Sequence, residues 1–205
     1  MIAVVDYGVG NLFSLCSSLR AIGAEAVVTN EKSVLRSADK IILPGVGAFG
    51  DAAEKLREQG LDSLLTEQAA QGREILGICL GMQLLFESSE EYGFHRGLGL
   101  LKGRVVAMEG RLPPELKIPH IGWNALRFRR DHRLLRYIHD GDCVYFVHSF
   151  YAEDCSDSLV AAAEYGREIT AIVGSGNVMG CQFHPEKSGQ VGLNILRAFC
   201  EEGSV

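Results

Sequence analysis

Cys79 stands in the run Gly77-Ile78-Cys79-Leu80-Gly81, where an apolar strand ends and an apolar helix, Met82 to Phe86, is expected to begin. The pattern has the form of a nucleophile elbow with cysteine in the serine position. Small residues two places to either side let the backbone turn sharply and push the central side chain outward. The thiol would also lie at a helix N-terminus, whose partial positive charge favours thiolate. Over these five residues alone, a core cysteine in a glycine-flanked turn reads the same way.

A thiolate needs a base and a group to orient it. Among six histidines, His184 closes an apolar strand in Gln182-Phe183-His184-Pro185-Glu186. Residues two apart on extended backbone share a side, and Pro185 biases its neighbour toward that geometry. The spacing predicts His184 as the acceptor of the Cys79 proton and Glu186 as the carboxylate that fixes its ring. A His-Pro-Glu string alone is commonly a loop, and it is the elbow upstream that gives it chemical meaning.

Pro44-Gly45-Val46-Gly47 follows the strand Ile41 to Leu43. Ligands of open parallel sheets bind beyond the carboxyl ends of the strands, where this loop and the elbow both belong. Acyl transfer needs donors aimed at the developing oxyanion, and the amides of Val46 and Leu80 are the candidates. The loop would otherwise be a plain glycine turn. Its glycines also allow a peptide plane to turn over. A resting state with the Val46 carbonyl in the oxyanion site would leave the isolated chain nearly silent.

The elements that must position these residues can be read from periodicity. Ile2 to Val5, Ala26 to Val28, Ile41 to Leu43 and Ile75 to Ile78 are strand candidates alternating with helices at Leu12 to Ile22 and Asp51 to Ala70. Asp51 is expected to cap the second helix and Gly72 to end it. Further strands are expected at Gly103 to Met108, Cys143 to Val147, Leu159 to Ala163, Thr170 to Val173 and Val178 to Phe183, with a last helix over Val191 to Cys200. The fold class is α/β: one domain over residues 1–205, a mostly parallel open twisted sheet with helices on both faces and an antiparallel excursion.

Composition removes other classes. Of 205 residues, 47% are hydrophobic and 22% charged, as in ordinary globular proteins. A formal charge of −6 argues against a nucleic-acid binder, which needs a basic face. The six cysteines lack zinc-ligand spacing, no apolar run reaches membrane length, and the N-terminus lacks the marks of a signal peptide. No metal, cofactor or membrane is expected, and a reducing, cytoplasmic setting is.

The elbow, the glycine loop and the His-x-Glu string, in this order, resemble the class I (triad) glutamine amidotransferases. Asp6 to Leu12 (DYGVGNL), Gly77 to Gln83 (GICLGMQ), Pro119 to Asn124 (PHIGWN), Tyr145 to Tyr151 (YFVHSFY) and His184 to Ser188 (HPEKS) are similar, nearly end to end, to the glutaminase subunits of imidazole glycerol phosphate synthases. Ile121, where methionine is frequent, is a minor departure. The resemblance implies hydrolysis of L-glutamine through a γ-glutamyl thioester on Cys79, with His184 and Glu186 completing the triad. It also implies a heterodimer with a (β/α)8-barrel cyclase subunit, which would use the ammonia to form imidazole glycerol phosphate and aminoimidazole carboxamide ribotide. Gly47, Gln83 and the Ser149-Phe150 backbone would hold glutamine; Asn11, Trp123, Asn124 and Lys187 would face the partner. A cysteine peptidase or another thiol hydrolase could share the elbow, and a binding module could share the fold.

Overall fold

Alternating side chains decide how the first half folds. Ala3 and Val5 enter one core layer and Ile2 and Val4 the other, the pattern of a strand covered on both faces. In the computed structural model, which describes residues 1–201, this run is β1 (Ile2–Val5). After it come α1 (Leu12–Ala21), β2 (Ala26–Thr29), α2 (Lys32–Ser37), β3 (Lys40–Leu43), α3 (Phe49–Glu58), α4 (Leu61–Ala70), β4 (Glu74–Ile78) and α5 (Leu80–Leu84). The chain continues through β5 (Phe86–Ser89), β6 (His95–Arg96), β7 (Leu101–Ala107), β8 (His120–Phe128), β9 (Cys143–His148) and β10 (Phe150–Glu153). It ends with β11 (Leu159–Glu164), β12 (Glu168–Ser175), β13 (Val178–Cys181) and α6 (Gly189–Cys200).

Nine strands form one sheet in the order β2-β1-β3-β4-β13-β12-β11-β8-β9. The first five are mutually parallel and the remainder antiparallel, so the expected excursion amounts to nearly half of the sheet. A second, four-stranded sheet, β10-β7-β5-β6, was not foreseen. The chain leaves the large sheet at the end of β9 and enters the small one at β10, with only Ser149 between.

Leu15 and Leu19 of α1 and Ile195, Leu196 and Phe199 of α6 cover the Ile2/Val4 face. Leu35 of α2, Phe49 and Leu56 of α3, and Leu61 and Leu64 of α4 cover the other. Each such side chain contributes about 1.5–3 kcal/mol when fully buried. Helices on both faces leave the carboxyl ends of β1, β3, β4 and β13 at one edge of the sheet.

Some local expectations change. The helix Asp51 to Ala70 is two helices, because Gly60 takes a left-handed conformation (φ 61°) between them. Both bury leucines in the same core layer, so the hydrophobic period carries across the break. Asp51 does not cap α3, which already begins at Phe49; the Glu91 carboxylate accepts the Phe49 amide instead, at 2.7 Å. The elbow helix spans Leu80–Leu84 rather than Met82 to Phe86, and Phe86 opens β5. α2 and β8 were missed: α2 buries only Leu35, and β8 leaves Ile121 and Trp123 exposed.

Candidate active site

Register brings the chemistry together. Gly77 of β4 lies beside Leu43 of β3 and Gly180 of β13, so the chain leaves all three parallel strands at one level. There Cys79 adopts φ 53° and ψ −111°, a region costly for a residue with a side chain, and its amide donates to the Cys181 carbonyl at 2.8 Å. The neighbours show why the elbow is built from glycines. A Cβ on Gly81 would lie 1.8 Å from the Leu43 carbonyl oxygen, and one on Gly77 would lie 2.6 Å from that of Gly81. The thiol points into a cavity yet is nearly covered, with Cys79 only 7% exposed.

His184 reaches the same cavity from beyond the end of β13 and lines it together with Cys79. Its Nδ1 donates to Glu186 Oε1 at 2.8 Å, with both side chains 4% exposed. The expected extended His-Pro-Glu run is not the means: Pro185–Lys187 is a short 3-10 turn with proline at its start, and that turn swings Glu186 back onto the ring. Burial pulls the His184 pKa down, but hydrogen bonds and charge from Cys79 and Glu186 outweigh it and raise the value to about 10. The ring therefore holds its proton through neutral pH. Ser188 secures the turn, accepting the Tyr145 amide at 3.0 Å and donating to the His184 carbonyl at 2.7 Å.

The glycine loop is pinned at both ends. The Tyr7 hydroxyl donates to the Pro44 carbonyl at 2.8 Å, and Glu91 holds the Phe49 amide beyond it. Gly45 has no room for a side chain, since a Cβ would meet the Tyr7 hydroxyl at 2.7 Å, and Gly47 adopts φ 97°. Among the described residues, the Val46 and Leu80 amides donate to no protein acceptor, and both residues line the Cys79 cavity.

That cavity has a volume of about 390 Å3, enough for an amino acid, and also holds Gly47, Gln83, Glu91, Ser149, Phe150 and Lys187 on its walls. Gln83 donates from Nε2 to the Phe150 carbonyl at 3.1 Å and to Gln182 Oε1 at 3.1 Å. Glu91 was missed by sequence reading, being one acidic residue in the run Glu87 to Glu91 with nothing local to distinguish it. Burial pushes its carboxyl pKa up against the pull of the Phe49 amide and His95. A larger hollow, about 650 Å3, lies at the far end of the strands around Met1, Asn194 and Cys200, but no histidine lines it.

Of the residues expected at a partner surface, Trp123 is 58% exposed and packs edge-on against Tyr145, and the Lys187 ammonium sits 6.0 Å from the same ring. Asn11 caps α1 through the Ser14 amide and borders a small hollow shared with Val46 and Glu186. Asn124 points the other way from Trp123, donating to the Glu164 carbonyl at 2.8 Å and to the ring of His120.

The family model described as "Glutamine amidotransferase class-I" matches residues 3–202. This chain belongs to that family. Among similar amidotransferase proteins, the imidazole glycerol phosphate synthase subunit HisH of Bacillus licheniformis is 51% identical over 97% of this chain and 95% of its own length. The protein of the same name from Methanothermobacter thermautotrophicus is 50% identical over 98% of each. Among solved structures, a glutamine amidotransferase superposes with a TM-score of 0.76 at 19% identity, covering 97% of both chains, which bears on the fold. PurLQS from Thermotoga maritima gives 0.73 at 25% identity over 97% of this chain and 96% of that one. The amidotransferase fold thus holds across distant relatives. The described residues include no helix long and apolar enough to cross a membrane, and all six cysteines are free.

Proposed function

We propose that this chain is the glutaminase subunit of an imidazole glycerol phosphate synthase, acting as one domain in the cytoplasm. The observation that carries the reading is the Cys79-His184-Glu186 constellation at the strand ends of a chain about half identical, over nearly its whole length, to HisH subunits. Cys79 attacks the side-chain amide carbon of L-glutamine, forming a C–S bond and an oxyanion that the Val46 and Leu80 amides receive. His184 gives its proton to the amide nitrogen, the C–N bond breaks, and ammonia leaves. Water then attacks the γ-glutamyl thioester, His184 takes its proton back, and glutamate departs. Glu186 holds the ring in position throughout.

Gln83, Gly47 and the Ser149-Phe150 backbone hold the amino-acid end of glutamine, and Glu91 is the anion on the cavity wall suited to the α-ammonium. The ammonia passes to a (β/α)8-barrel cyclase subunit, which forms imidazole glycerol phosphate and aminoimidazole carboxamide ribotide for histidine synthesis. Trp123 and Lys187, joined through Tyr145 beside the cavity rim, form the partner face with Asn11, whereas Asn124, expected there as well, is turned to the other side of β8 toward Glu164 and His120. Neither a nucleic acid nor a cofactor enters the scheme.

Steady-state glutamate production tests the whole. It is expected to be slow for the chain alone and stimulated by the cyclase with its nucleotide ligand. Trp123→Ala and Lys187→Ala should each weaken that stimulation. Equal rates with and without liganded cyclase, or full stimulation of both variants, would contradict the partner coupling.

A further inference from the structure

Two buried histidines outside the triad connect the partner-facing strand to the glutamine cavity. His120, on β8, is 2% exposed, and His148, the last residue of β9, is 6% exposed. They are opposite one another in the β8–β9 ladder, with His120 Nδ1 and His148 Nε2 3.1 Å apart. His120 is clamped flat between Phe146 and Tyr165, at ring separations of 4.7 Å and 4.0 Å.

The direction of every bond in this chain follows from its ends. The Phe150 carbonyl can only accept, so His148 Nδ1, 2.8 Å away, is the nitrogen that carries the proton. His148 Nε2 is then an acceptor, and His120 Nδ1 must donate to it. That leaves His120 Nε2 as an acceptor, matched by the Asn124 amide at 3.3 Å. Both rings must be neutral, since a second proton on His148 would set N–H against N–H at the shared contact. Burial acts in that sense, pulling His120 to about 4 and His148 to about 3.

The far end of the chain lies in the glutamine cavity. The His148–Phe150 bond spans Ser149, the one residue between β9 of the large sheet and β10 of the small one. Gln83 donates to the same Phe150 carbonyl, which is thus held by two donors. A histidine's tautomer is set by the bond its other nitrogen makes. Without His120, the buried His148 Nε2 would have no donor, and the Phe150 carbonyl alone would hold the ring.

We propose that His120 is a positioning residue that, by donating to Nε2, holds the His148 ring with its Nδ1–H on the Phe150 carbonyl, and that His148 in turn fixes the Ser149-Phe150 wall against which glutamine's amino-acid end is bound. The proposal deepens the glutaminase reading and rests on it for the identity of the substrate. The relay also gives strand β8, whose next residues include Trp123 and Asn124, a direct hydrogen-bonded connection to substrate binding.

His120→Phe is the informative variant: it keeps the stack on Phe146 and Tyr165 and removes only the donor. His148→Asn, whose amide can still reach the Phe150 carbonyl, is the conservative rescue, and His148→Leu removes the donor outright. Imidazole 15N shifts of the full chain are expected to show both rings neutral at pH 7 and His148 protonated at Nδ1. In His120→Phe the His148 Nε2 signal should move toward that of a nitrogen that accepts no hydrogen bond. For glutamine hydrolysis in the cyclase complex, KM should rise about three- to tenfold in His120→Phe and His148→Leu, on the scale of one hydrogen bond, with kcat changed much less and KM largely restored in His148→Asn. An Nε2–H or charged His148 in the wild type, or an unaltered KM in folded His120→Phe, would overturn the proposal. Absence of glutamine turnover by the wild-type complex would instead overturn the glutaminase reading, while the tautomer measurement would still report on the relay.

Discussion

His184 holds its proton because Cys79 and Glu186 both lie against it, and each can be removed separately. Cys79→Ala should abolish glutamine hydrolysis and lower the His184 midpoint from about 10, since it deletes one raising partner while burial still pulls down. The readout is the His184 imidazole NMR titration, and an unchanged midpoint would mean that thiol and ring are not coupled. His184→Ala should cost on the order of 10²–10⁴ in kcat, and Glu186→Gln less, because the first removes the proton carrier and the second loosens its hold. Linkage supplies a separate check. A folded-state value of about 10 lies above the ordinary 6.5, so the stabilisation from this histidine is complete below about pH 6.5 and is lost as pH rises toward 10. Urea midpoints should accordingly fall more steeply between pH 7 and 10 in the wild type than in His184→Ala; parallel slopes would contradict the raised value.

Backbone clearance, more than side-chain contact, holds the site's elements in place. Gly81 lets α5 pass against the end of β3, and Gly192 lets α6 pass over the turn carrying His184: a Cβ there would meet the Pro185 carbonyl oxygen at 1.9 Å. Both obstructions are backbone, which cannot rotate away. Gly81→Ala and Gly192→Ala should therefore each cost about 3 kcal/mol or more, measured by denaturant titration, whereas wild-type stability in either would mean the elbow or the turn is loosely packed. The elbow glycines were legible from sequence because they sit within two residues of Cys79. Gly192 was not, since the carbonyl it clears belongs to a turn that the sequence presented as extended. Periodicity likewise located β1, β3 and β4, where apolar runs are uninterrupted, but not β8, whose outer residues Ile121 and Trp123 are apolar and exposed and so blur the alternation. Glu91 and the His120–His148 pair lay beyond sequence reading for a related reason: their meaning comes from Phe49, Phe150 and each other, partners that only the folded sheets bring near.

At the scale of the molecule, two core layers and a doubly covered sheet put a strained cysteine, its histidine and a glycine loop at one edge, with the exposed Trp123 and its neighbour Tyr145 on the adjoining antiparallel strands. The central claim is that Cys79 is the nucleophile toward glutamine. Five other free cysteines provide internal competition, and Cys143 is exposed while Cys79 is nearly covered. The most direct measurement is peptide mass mapping after the chain, with its cyclase partner, is treated with an electrophilic diazoketone analogue of glutamine. A single adduct on Cys79, blocked by excess glutamine and accompanied by loss of glutaminase activity, is the predicted result. Labelling that follows exposure to Cys143, or inactivation with Cys79 unmodified, would contradict it.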